Sequence, residues 1–360
     1  MQTSSTAARQ IPDTQSWVDQ LYQAIGRHLG RISYEHPNGQ SPPSIIVVSA
    51  ICGLTVFAVG FAAALMSGFA GVFLSTRAVY YGAFGIAWVL GWLRWGLLRL
   101  CRTVEDIRVC FTDEERFLAI AGKTIDRMNG RTGSLVFALI VFSLGLAAAV
   151  LGLYIFVHDA SRSRLLPLGW YQGPRTIHLA ILIVFGIGCS LPLGTGLYLQ
   201  AVNFRFLHAI YRFGVVPLPG VLVARFRQLT GFYLVIAGSW FVGVALFALV
   251  FVGHLDPFPI FILTTISAFG LVTALTPQLV FHAFITQASS EVAGEFARIF
   301  KFELASRIDQ SSLPGVTSML QASQPVQMWV INLKDLLLLG SGQLLPLAAV
   351  VVRNRLGIHL

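Results

Sequence analysis

Long apolar stretches alternate along this chain with short, basic, helix-patterned segments. Seven stretches stand out: about Ser44 to Ser75, Val79 to Leu98, Ser134 to Val157, His178 to Val202, Leu229 to Val252, Phe258 to Ile285 and Leu333 to Val352. Each is about 20 residues or longer, the length at which a helix rising 1.5 Å per residue crosses roughly 30 Å of hydrocarbon. None alternates with period two, and in lipid each backbone polar group must bond within the protein, so helices are predicted and barrel strands are not. The last stretch opens on Lys334 and Asp335 and contains Pro346. It either crosses or lies as a re-entrant or interfacial segment. The pattern predicts an all-α fold, a polytopic α-helical integral membrane protein of six or seven transmembrane helices with helical cytoplasmic extensions.

The connecting segments carry their own periodicity. Thr14 to Ile32 reads as an amphipathic helix with Trp17, Leu21, Ile25, Leu29 and Ile32 on one stripe, expected on the membrane surface or against the bundle. His36-Pro37-Asn38-Gly39 and Pro42-Pro43 then break the chain. Residues 1–43 are therefore read as a cytoplasmic tail and residues 44–360 as the transmembrane domain. An apolar run that starts only after more than forty residues does not fit a cleavable targeting peptide. Further on, Thr112 and Glu115 have capping-box spacing before a helix that Asn129-Gly130 can end. The second, fourth and sixth stretches keep helical spacing past their apolar ends. Cytoplasmic helical segments are thus expected at about 99–133 and 286–332, with one helix running from about Phe258 to Asp309.

Charge orients this plan. Of 25 Lys and Arg residues, 19 fall on one side if the N-terminus is cytoplasmic, among them Arg99, Arg102, Arg108, Arg116, Arg205, Arg212, Arg225 and Arg227. The other side keeps six, including Arg77, Arg162 and Arg175. The bias predicts a cytoplasmic N-terminus in the plasma (inner) membrane. A net charge of +9 is explained by this signal facing anionic lipid, with the bilayer as partner and no call for nucleic acid. Composition agrees: 55% of residues are hydrophobic, 11% are charged, and mean hydropathy is +0.72. Soluble domains carry about a quarter charged residues, so a water-soluble class is excluded.

Candidate chemistry lies where polar groups interrupt apolar stretches, because such groups are expensive in lipid. The fourth stretch holds Pro192, Gly194 and Gly196, then Gln200 and Asn203. A break at Pro192 would free carbonyls for an ion or solute, whereas a packing kink with close helix approach at the glycines is the plainer alternative. The sixth stretch holds Thr276-Pro277, Gln278 and His282, the last two on one face. Its many hydroxyls have an ordinary explanation in bonds back to their own helix. Gln343 before Pro346 is a third amide beside a proline. Together Pro192, Gln200, Asn203, Gln278, His282 and Gln343 form a candidate polar path. Arg94, between Trp92 and Trp95, is expected to snorkel toward the cytoplasmic interface.

Other chemistries find no support. Gly122-Lys123-Thr124 lacks the glycine that a phosphate loop needs five residues earlier, where Phe117 stands. HExxH and GxSxG motifs are absent, and Cys52, Cys101, Cys110 and Cys189 show no metal spacing, so no enzyme, cofactor or metal is expected. Three functional classes stay open, the least supported being an integral membrane enzyme, which would require a pocket with at least two converging titratable groups. One is a small-solute or ion transport or channel protein with its path through the fourth, sixth and seventh helices. The alternative is a membrane-anchored sensor, scaffold or complex subunit acting through its cytoplasmic helices, as a homo-oligomer or with a cytoplasmic protein partner.

Overall fold

The computed structural model describes residues 16–29, 42–75, 77–158, 175–216, 219–250 and 257–305. The seventh apolar stretch, Gln343 and the segment from 306 to 332 lie outside the described residues. Nine α-helices account for nearly all of what is described: α1 (Trp17–Leu29), α2 (Pro42–Met66), α3 (Ala70–Ser75), α4 (Arg77–Ile107), α5 (Glu114–Asn129), α6 (Arg131–His158), α7 (Arg175–Ile210), α8 (Pro219–Val250) and α9 (Pro257–Ala305). There is no strand among these residues, only an isolated antiparallel bridge between Phe111 and Val215. Among the described residues, four helices are long and apolar enough to cross a membrane, or five if the bent pair α5 and α6 is one span.

Helix ends follow local chemistry, in places differently from the sequence reading. The first stretch does not run unbroken to Ser75. It stops at Met66, where Gly68 takes a φ of 74°. There Gly68 N–H donates to Leu65 O (3.1 Å) and Phe69 N–H to Ala64 O (2.8 Å). This is the glycine-terminated arrangement that satisfies the last carbonyls of a helix. The cap of α5 is Asp113, whose side chain accepts from Arg116 N–H, rather than Thr112. Thr112 instead donates to Gly214 O at 3.1 Å and helps tie the α4–α5 turn to the α7–α8 turn. After Gly130 the chain resumes as α6 with a bend of 53°.

The predicted helical extensions are present. Helix α4 continues to Ile107 and α7 to Ile210, while α9 has 49 residues, about 73 Å at 1.5 Å per residue. The ends of α4 and α7 meet at the middle of α9. Phe111 after α4 lies 6.0 Å from Phe213 after α7 and 5.8 Å from Phe284 of α9, centroid to centroid. Phe117 of α5 stacks on Phe111 at 4.5 Å, and Phe226 of α8 on Phe281 at 4.7 Å. All but Phe213 are almost fully buried, and Phe213 is 6% exposed. Aromatic packing therefore joins two separate connections, α4–α5 and α7–α8, to α5, α8 and the middle of α9 in one hydrophobic knot.

Helix α4 is central and touches α1, α2, α7 and α8. Close approach is set by small residues. A Cβ on Gly53 of α2 would stand 2.6 Å from Ala83 O of α4, and one on Gly194 of α7 would collide with the α6 backbone at Phe137 and Ala138. The outer surface is aliphatic instead of polar: Ile46 is 68% exposed, Leu144 67% and Leu139 63%. Exposure of that kind around several helices exceeds what a soluble monomer presents.

Candidate ligand groove between three helices

Pro192 does not break α7. The helix runs through it, and the two glycines make the close helix approach of the plainer alternative. Gly194 meets α6, while Gly196 faces α4, where an added Cβ would lie 3.7 Å from Leu93. Thr195 Oγ1–H donates to Leu191 O at 2.8 Å, as hydroxyls in apolar helices commonly do.

On the α4 side of α7, a groove of about 480 Å³ opens between α4, α7 and α8. Pro192, Gln200 and Asn203 line it from α7, Trp88 and Leu93 from α4, and Tyr233 from α8. Its remaining wall is aliphatic, aromatic or glycine apart from Ser239, Cys189 and Met128, and none of the described lining residues is charged. Gln200 and Asn203 are three apart and so share a face. Four buried polar atoms in this lining have no hydrogen-bond partner among the described residues: Gln200 Nε2, Asn203 Oδ1, Tyr233 Oη and Trp88 Nε1. Buried polar groups are nearly always bonded; the same lack of a partner recurs outside the groove, at Thr230, Gln278 and Ser289 among others.

The candidate path is therefore divided. Pro192, Gln200 and Asn203 come together, but on a mostly apolar groove. Gln278 and His282 of α9 are not among its lining residues. Gln278 is 1% exposed with both amide atoms unpartnered among the described residues, and His282 is half-buried. Gln343 lies outside the described residues. The hydroxyls of Thr273 and Thr286 bond back to Phe269 O and His282 O, both at 2.8 Å, the ordinary explanation for hydroxyls in α9.

A second hollow of about 870 Å³ lies along α2 and α4 and is lined by Ile45, Ser49, Gly53, Phe57, Ala83 and Trp92, among others. Its polar atom at Ser49 is satisfied: the hydroxyl donates to Ile45 O at 2.7 Å and bonds the Tyr22 hydroxyl. Trp88, whose indole N–H has no partner among the described residues, lines both hollows.

Helix α1 supplies a feature that the sequence reading missed. Its inward face is Val18, Asp19, Tyr22 and Gly26, turned from the expected Trp17, Leu21, Ile25 stripe. Asp19 forms an ion pair with Arg94, with 2% and 4% of the two side chains exposed. Ser16 N–H and Oγ–H both donate to Asp19 Oδ2, at 2.8 and 2.6 Å, and the Arg94 guanidinium lies 5.8 Å from the Tyr22 ring centroid. Trp17 Nε1–H donates to Thr195 Oγ1 at 3.0 Å, and Arg131 bonds Gln20. Arg94 does not snorkel; it is neutralised from α1. The only hint in the sequence was a lone carboxylate in the first turn of an amphipathic helix.

All four cysteines are free thiols, and no group of three or more His, Cys, Asp or Glu among the described residues could hold a metal ion. No family model matches this chain, and no curated protein or solved structure matches it.

Proposed function

We propose that this chain is a polytopic protein of the plasma (inner) membrane, with six or seven spans and a cytoplasmic N-terminus, that moves a small solute along the groove between α4, α7 and α8. Support for the membrane setting comes from the helices long enough to cross and from the aliphatic outer surface. Support for the orientation comes from the aromatic knot. It gathers the turns after α4 and α7 against the middle of α9, where Arg99, Arg102, Arg108, Arg205, Arg212, Arg225 and Arg227 also concentrate in the adjoining turns and helix ends.

The observation that carries the functional reading is the groove of about 480 Å³ left between α4, α7 and α8, with the amide-bearing Gln200 and Asn203 and the phenol-bearing Tyr233 among its lining residues. Reconstitution of the purified protein into liposomes tests the reading. NBD-labelled monoacylglycerol is followed across the bilayer by dithionite bleaching, beside efflux of an entrapped small solute. Wild type should accelerate one of the two over empty liposomes, and Gly196→Phe, which places a ring in the groove, should abolish the gain. Rates equal to empty liposomes for both probes overturn transport and leave the sensor or scaffold reading, which the knot of α5 with the α7–α8 turn and α9 favours.

A further inference from the structure

The outward face of α4 changes character along its length. Phe84, Trp88, Gly91, Trp95, Arg99 and Arg102 follow one another at steps of three and four, so they lie on one face of an unbroken helix. Each is exposed or half-buried, whereas Leu90, Leu93, Leu97 and Leu100 between them are buried. The first four line the hollow of about 870 Å³ between α2 and α4. The last two stand beyond its end, Arg99 about 6 Å and Arg102 about 10 Å further along the axis than Trp95.

Small residues fix the direction of α2. A Cβ on Gly91 would lie 3.0 Å from Ser49 Oγ and one on Gly53 2.6 Å from Ala83 O, so the two helices run antiparallel. The N-terminus of α2 therefore sits at the arginine end, where the positive end of its dipole adds to the basic charge. Helix α2 carries no carboxylate, and the first ones along α4 come after Arg102, at Glu105, which accepts from Arg108 at 2.7 Å, and Asp106. Ile46 and Leu54 on one wall and Tyr80 and Phe84 on the other are exposed, so the hollow opens outward. From Trp95 to Tyr80 it runs about 22 Å along α4, more than the roughly 15 Å that one leaflet gives to a hydrocarbon core of roughly 30 Å. An acyl chain entering beside Arg99 thus stays against apolar walls over its full depth. A second copy of this chain fits less well, because a two-fold axis along the membrane normal would bring the two sets of arginines face to face.

We propose that this hollow holds an anionic phospholipid of the leaflet on the basic side, its phosphate on Arg99 and Arg102 and an acyl chain along Trp95, Trp88 and Phe84. Guanidinium groups suit the head, since each presents several N–H donors in one plane to phosphate oxygens. Basic side chains at the end of an apolar cleft are the general form of an anionic-lipid site. The proposal rests on the membrane setting given above and is independent of solute movement through the other groove.

Tryptophan quenching with full-length protein in detergent micelles tests it, the probes being phosphatidylglycerol and phosphatidylcholine, each brominated on the acyl chains. Brominated phosphatidylglycerol should reach half-maximal quenching at about one-tenth the mole fraction of phosphatidylcholine or less, and the gap should narrow as salt is raised. Arg99→Gln with Arg102→Gln should abolish the preference while thermal unfolding in phosphatidylcholine micelles shows the variant folded. Arg205→Gln with Arg227→Gln removes the same charge from exposed positions on α7 and α8 and should leave the preference in place. Equal quenching by the two lipids overturns the proposal. So does an equal loss in both double variants, which would reduce the effect to the overall basic charge of that end. In a background without the native cysteines, a disulfide at Leu54→Cys between two copies, or with Leu344→Cys in one, would put protein in the hollow and overturn it too. A micelle has no two compartments, so a lost preference sinks the lipid site alone. Flux equal to empty liposomes with the preference kept sinks transport alone, and protein that stays soluble and monomeric without detergent sinks the membrane setting.

Discussion

Asp19 of α1 and Arg94 of α4 pair across the bundle with both side chains almost wholly buried. Each is the other's charge compensation in a place that water does not reach. Residual capacity on Asp19 is taken by the Ser16 N–H and hydroxyl. The N-terminal helix is thereby seated among α2, α4 and α7 by polar contacts as well as by Val18 and Tyr22.

Breaking this pair from one side should be far worse than removing it. Asp19→Ala leaves a guanidinium buried without an anion, and the expected loss is about 3–5 kcal/mol. Replacing both, as Asp19→Leu with Arg94→Met, should recover most of that loss. Thermal unfolding in detergent measures the difference; a double variant no better than Asp19→Ala would show that the pair is not the origin of the effect.

Gly194 tests the α6–α7 contact. Any side chain there meets backbone rather than a movable group, so Gly194→Val should destabilise by about 2 kcal/mol or more. Gly231→Ala is the control, since an added Cβ there has no neighbour within 4 Å. Equal Tm values for the two variants would mean that α6 and α7 are not in close contact at Gly194.

The groove amides should trade stability for binding. With no ligand present, Gln200→Leu and Asn203→Leu each remove a buried unpartnered polar atom, and each should stabilise the protein by about 1 kcal/mol or more. A loss of Tm without ligand would indicate that these groups already have partners. Function kept at the expense of stability is the usual signature of a binding site.

Membrane orientation can be read by labelling. In a background without the four native cysteines, Ser75→Cys at the outer end of the first helical pair should react with an impermeant maleimide on intact cells. Glu115→Cys on α5 should react only after permeabilisation. The opposite pattern would reverse the topology.

Several elements were legible because they depend on neighbours in sequence. Apolar length predicted the long helices, the continuation of α9 past its apolar part included, and an amide in an apolar stretch made Gln200 and Asn203 conspicuous. Tyr233 and Trp88 were not legible, because an aromatic in an apolar helix is by default a core or lipid-facing group. Asp19 was hidden for a different reason. Its meaning lies in Arg94, which belongs to another helix, and the visible stripe of Trp17, Leu21 and Ile25 pointed to a slightly different face.

Taken alone, the sequence determined the all-helical class, the apolar segments and the uneven distribution of charge, since hydrophobic length and helical period act within a segment. Only the tertiary structure decided that α7 continues through Pro192, that Gly194 rests on α6, and that Arg94 is paired with Asp19. It also separated Gln200 and Asn203 from Gln278 and His282. Each of these depends on which helix faces which. In an apolar bundle that choice is made by the fit of small residues and the pairing of a few polar groups, and neither leaves a periodic trace in one chain.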